Sequence, residues 1–144
     1  MPIDPQVVWM PGDTRTEIHL VTADTDGRFC MLVDHPPPDW SLPAHLHSNE
    51  SETIHIVAGD FEMVVDGERM VVSAGETVHV PRGVIHSGRN IGEQTATRVL
   101  LFSPSGMERF FMEAGAAAPG SGVDRAATAA TAMRHGWEFA QAQG

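Results

Sequence analysis

Residues 7–103 break into eight apolar or β-branched segments of four to seven residues: VVWM, EIHLVTA, RFCMLVD, TIHIVA, FEMVV, RMVVS, TVHV and TRVLLF. Gly, Pro, Asp and Asn divide them. Segments this short, reversed every few positions by turn residues, predict an all-β antiparallel sandwich or barrel. VVDGERMVV is the clearest hairpin, because Asp66-Gly67 is a turn dipeptide whose glycine takes positive φ readily. HPPPDW lacks three successive N–H donors and reads as a stiff connection, not a central strand.

After Ser103 the pattern changes. SPSGMERFFMEAG predicts a helix opened by a Ser105/Glu108 capping box and closed at Gly115. AAAPGSG is a joint, and VDRAATAATAMRHGWEFA reads as an alanine-rich helix stopped near Gly136. The division expected is a β-barrel over residues 1–103 and a helical appendage over 104–144, packed on the barrel or on a partner subunit. Phe110, Phe111, Met112, Trp137 and Phe139 read as packing residues. The total of 144 residues suits one core.

Nineteen acidic residues against nine basic ones give a formal charge of -10, which repels nucleic acid and anionic membrane surfaces. All nine basic residues are arginines, and tyrosine is absent. Schiff-base or general-base lysine chemistry and tyrosine acid chemistry are therefore excluded. Cys30, the one cysteine, lies in the apolar run RFCMLVD and reads as a buried hydrophobe. The first residues lack a basic n-region and apolar h-region, and no apolar run approaches the ~18 residues of a membrane span, so a cytoplasmic protein is expected.

Three of the eight histidines and two glutamates fall within residues 45–55. Alternate side chains of a strand share a face, so His45 and His47 aim two imidazoles at one point while Leu46 points away. A carboxylate from a neighbouring strand would complete a metal-binding face, with Glu50 and Glu52 the candidates. Glu52 is favoured, since it opens the strand-like segment TIHIVA whereas Glu50 lies in the polar turn SNES. Further along, GETVHVPRGVIHSGRN runs strand, Pro-x-Gly turn, strand, and carries His86 onto the return strand.

These two stretches resemble the two cupin motifs. His-x-His, four residues, glutamate, six residues, glycine falls at His45, His47, Glu52 and Gly59. Glycine, five residues, Pro-x-Gly, two residues, histidine, three residues, asparagine falls at Gly75, Pro81, Gly83, His86 and Asn90. The resemblance implies a jelly-roll double-stranded β-helix with one divalent transition metal held by His45, His47, Glu52 and His86. The tail is similar to that of single-domain cupins described as quercetin 2,3-dioxygenase-like. Iron, nickel, manganese and copper all suit such a shell, and zinc would bind without redox chemistry.

The resemblance thus implies a metal-dependent dioxygenase acting on a hydrophobic or aromatic hydroxylated small molecule, with Glu52 as ligand alone or as ligand and base. The alternatives are a non-oxidative isomerase, cyclase or decarboxylase, and a non-catalytic small-molecule binder. If Glu52 points inward, Ile54 and Ile56 share its face and line an apolar pocket, while His55 points away. His79 is read either as a pocket or ligand-supporting residue or as packing. Arg82 and Arg89 flank the second motif and read as solvated or ion-paired, with contact to an anionic substrate as the alternative. Asn90 reads as a turn former. A homodimer built through an edge strand or an exchanged N-terminal segment is expected, because VVWM is a free apolar strand. The alternative is that VVWM folds onto its own sheet.

Overall fold

A computed structural model describes residues 1–140, so the last four positions of the 104–144 segment lie outside the described residues. Eleven strands form two antiparallel sheets. The first sheet orders β1 (Gln6–Met10), β2 (Thr14–Leu20), β3 (Cys30–His35), β10 (Thr97–Ser103), β5 (Ser51–Ala58) and β8 (Thr77–Val80). The second orders β11 (Trp137–Phe139), β4 (Ser41–His47), β9 (His86–Asn90), β6 (Asp60–Val65) and β7 (Glu68–Ser73).

Alternation decides which side chains meet between the sheets. On β5, Glu52, Ile54 and Ile56 are buried while Thr53 and His55 lie on the other face. On β3, Cys30, Leu32 and Asp34 point inward, and on β10 Arg98, Leu100 and Phe102 do. Phe61, Met63 and Val72 close the core from the second sheet. Cys30 is fully buried, and burial pushes its thiol up to about 12. It is a packing residue, as its apolar run implies.

Two turns show why particular residues stand where they do. β6 and β7 pair Val65 with Glu68, leaving Asp66 and Gly67 at φ 51° and 79° as a two-residue hairpin turn. Gly59, where the chain passes from β5 to β6, has φ +103°, and a Cβ there would lie 2.6 Å from the Ala96 Cβ. Asn90 does more than form a turn. Its buried Nδ2 donates to the carbonyls of Pro36, Pro37 and Gln94, and its Oδ1 accepts from Gly92 N–H, so it ties the proline loop to β9.

Three helices accompany the sheets: α1 (Thr22–Thr25), α2 (Met107–Ala114) and α3 (Arg125–Arg134). The Ser105/Glu108 capping box does not form. Gly106 is the N-cap, and the Glu108 carboxylate accepts Gly106 N–H, Thr22 N–H and the Thr22 hydroxyl at 2.6–2.8 Å. Glu108 thus serves a local and a tertiary partner at once, while Ser105 lies outside the cap. α2 ends at Gly115 as the sequence implies, and α3 is capped by Asp124, which accepts from Ala126 and Ala127 N–H.

β1 lies on its own sheet against β2, and its outer edge is covered by a bridge between Trp9 and Ala116. No helix among the described residues is long and apolar enough to cross a membrane.

Candidate metal centre

β4 delivers His45 and His47 from one face, and His86, the first residue of β9, pairs directly with His45. Glu52 reaches across from β5 in the other sheet. The four are 1–6% exposed, and one ligand atom from each lies within 4.8 Å of all the others.

Backbone carbonyls fix the ring tautomers. His45 Nδ1–H donates to the Pro43 carbonyl at 2.7 Å, and His86 Nδ1–H to the Val84 carbonyl at 3.0 Å. A carbonyl can only accept, so the proton sits on Nδ1 and Nε2 is directed inward. His45 Nε2 is buried without a partner, which is the state of a ligand atom facing a cation site. The Nε2 atoms of His47 and His86 stand 3.2 and 3.1 Å from Glu52 Oε1.

The electrostatics agree with a cation-binding set. Burial pushes the Glu52 carboxyl up, but hydrogen bonds from His47 and His86 outweigh it and hold the group well below the ordinary carboxylate range. Burial, helped by the neighbouring His86 charge, pushes His45 down to about 3, so that ring is neutral at physiological pH. For His86, burial is outweighed by the bond to Glu52, and its pKa is raised. Three imidazoles and a carboxylate converging in a buried space fit one divalent transition ion.

Aromatic groups wall the set. Trp137 stacks on His45 with ring centroids 4.5 Å apart and 20° between planes, and meets His47 edge-on at 4.6 Å. It stands there because β11 pairs with β4, Trp137 opposite His47. Its Nε1–H donates to Met107 Sδ on α2. The four side chains open on a cavity of about 210 Å³ whose walls are mainly apolar, including Ile54, Met63, Leu100 and Trp137. Arg125 and one ion pair also line it: Arg98 donates from Nε and Nη2 to the two oxygens of Asp34 at 3.0 and 2.6 Å, with its guanidinium 4.4 Å from the Trp40 ring centre.

Of the sequence-read pocket residues, Ile54 lines the cavity, and Ile56 is fully buried in the core but outside the lining. His79 is not a pocket residue. Strand alternation puts it on the outer face, where its Nδ1 lies 2.9 Å from Thr53 Oγ1. His55 lies on the same outer face against Thr77. Arg89 pairs with Glu62, and Arg82 is exposed. Glu50 is buried in the turn before β5, away from the four converging atoms. Asp34, Arg98, Trp40 and Trp137 were not legible as site residues. Their only sequence signal is two charges at positions that alternation places inward on β3 and β10, and that requires the register.

A Cupin domain model matches residues 31–103. The quercetin 2,3-dioxygenase of Bacillus subtilis is 27% identical over 106 residues, which is 74% of this chain and 31% of that protein. Polyketide synthase CurC of Streptomyces cyaneus is 30% identical over 93 residues, 65% of this chain and 60% of that one. The chain thus spans less than two thirds of either relative. Among solved structures, the polyketide cyclase RemF from Streptomyces resistomycificus superposes with a TM-score of 0.58 at 24% identity, covering 72% of this chain and 75% of that one.

Proposed function

The chain belongs to the cupin family, and from that premise we propose that it is a metal-dependent dioxygenase acting on a small, hydrophobic, hydroxylated molecule. The observation that carries this reading is the buried set of three histidines and one glutamate opening on an apolar cavity. His45, His47, Glu52 and His86 would hold the ion. When bound, a redox-active divalent ion supplies Lewis acidity toward a substrate oxygen and a path for electrons to dioxygen.

The remaining work belongs to the chain's own groups. Glu52 is ionised throughout the physiological range and can accept the proton that a substrate hydroxyl gives up on becoming an enolate or phenolate. Ile54, Met63 and Leu100 exclude water from the developing anion, and Trp137, stacked on His45, adds an aromatic edge to the wall. The Asp34 carboxylate neutralises Arg98 on the inner wall, which leaves Arg125 as the further cation of the lining. A volume of about 210 Å³ is below the ~300–1,000 Å³ of pockets for drug-sized ligands, which favours one- and two-ring molecules over a full flavonol.

The test is oxygen uptake by protein loaded in turn with iron, nickel, manganese and copper. Substrates would be catechols, hydroxylated bicyclic aromatics and flavonols, with ¹⁸O₂ followed into product. Label in the product supports the reading; substrate turnover with no uptake and equal rates on zinc overturns it. That second outcome would match a non-oxidative cyclase or isomerase, which the 30% identity to polyketide synthase CurC favours as the alternative.

A further inference from the structure

We infer that Glu50 is the hydrogen-bond acceptor for the Nδ1–H of His47 through one bridging water, and so fixes the orientation of that ligand. The inference rests on the four-ligand reading above and adds a positioning residue to it.

Three buried side-chain nitrogens or oxygens have no hydrogen-bond partner among the described residues: His45 Nε2, His47 Nδ1 and Glu50 Oε1. The first is accounted for by its place among the converging ligand atoms. The other two are a nitrogen and a carboxyl oxygen three positions apart in sequence, each buried and each lacking a complementary partner. A metal-binding imidazole needs an acceptor on its second nitrogen to hold its tautomer and its angle. His45 and His86 meet that need with the carbonyls of Pro43 and Val84, each two residues upstream. His47 has no such carbonyl bond.

The neighbours leave Glu50 as the group to serve. Of the two other buried glutamates, Glu52 faces the Nε2 atoms of His47 and His86, and Glu108 already accepts three hydrogen bonds from Gly106 and Thr22. Glu50 is not in the lining of the cavity and its oxygens are outside the set of four, so it serves neither as ligand nor as a substrate contact. The turn that carries it is clamped. Ser48 N–H and Oγ–H both donate to the Gly136 carbonyl at 2.9 Å, and a Cβ on Gly136 would come within 2.4 Å of Asn49 Nδ2. A glutamate side chain in a polar turn is thus held inside the protein with a buried, unpartnered oxygen.

The test uses ¹⁵N-labelled protein and zinc, which is diamagnetic. Loading wild type should bring up three slowly exchanging ring N–H signals, one each from His45, His47 and His86. Glu50→Ala should lose the His47 signal and weaken zinc binding by about 10–100-fold, while Glu50→Gln, which keeps an acceptor oxygen, restores both. Far-UV circular dichroism of the zinc-free variants checks that the barrel is intact. Wild-type affinity with all three signals in Glu50→Ala, or equal losses in Glu50→Ala and Glu50→Gln, overturns the inference. Failure of wild type to take up zinc would overturn the four-ligand reading itself, and this inference with it.

Discussion

Two of the candidate ligands have one ring nitrogen committed to the backbone. His45 and His86 spend their Nδ1 protons on backbone carbonyls, so only Nε2 remains free to point into the barrel. Replacing His86 or His47 with alanine should abolish stoichiometric metal in protein purified without added ion, by elemental analysis, whereas His55→Ala and His79→Ala should retain it. The inward pair Asp34–Arg98 is a sharper stability test. Both partners are 4–7% exposed, so Asp34→Ala strands a buried guanidinium and should cost about 3–5 kcal/mol in urea unfolding. The double variant Asp34→Leu/Arg98→Met should recover most of that loss. At this scale three of the four candidate ligands were legible from local geometry, two histidines at i and i+2 and a glutamate where a strand begins. The role of His86 came instead from the resemblance of its stretch to a cupin motif. The Asp34–Arg98 pair was not legible. Its partners come from strands joined only by the antiparallel register of β3 and β10, and nothing near either residue announces it.

Among the elements, β11 is the one whose position matters most to the site. Three residues after an alanine-rich helix carry too little periodicity to be read as a strand, and the partner β4 lies far back in the chain. The structure nevertheless places Trp137 against two of the ligand rings. Trp137→Ala should lower stability by about 3–5 kcal/mol, measured in metal-free protein by denaturant unfolding. Trp137→Phe should recover part of it. The capping box at Ser105 failed for the converse reason: Gly106 takes the cap position, and Glu108 accepts its N–H together with both Thr22 groups from another part of the chain. The hairpin at Asp66-Gly67, by contrast, depends on backbone conformations that those two residues adopt wherever they occur, and it was readable in isolation.

Across the whole molecule, charge is managed differently inside and out. On the outer face of the first sheet, Glu17 accepts from His35 and His19 and pairs with Arg15. Burial pushes Glu17 up, but those partners outweigh it and draw the carboxyl from 4.5 down to about 2. A carboxylate with a lowered folded value stabilises the protein fully above its unfolded value and loses that contribution as pH falls. The advantage of wild type over Glu17→Gln should therefore be complete above about pH 4.5 and shrink toward pH 2, as read by urea midpoints across that range. The overall architecture was legible because short alternating segments and turn residues admit few arrangements. What stayed out of view was how the final segment folds back across the barrel.

That return path has a consequence in time. During translation β4 emerges early and β11 only after roughly 90 further residues, a delay of roughly 5–20 s at ordinary elongation rates. Until then the nascent chain presents His45 and His47 without the indole that will stack over them. An ion that met the chain in that interval would therefore meet the four side chains without their Trp137 wall. Loading the purified protein and loading it during synthesis are two different experiments.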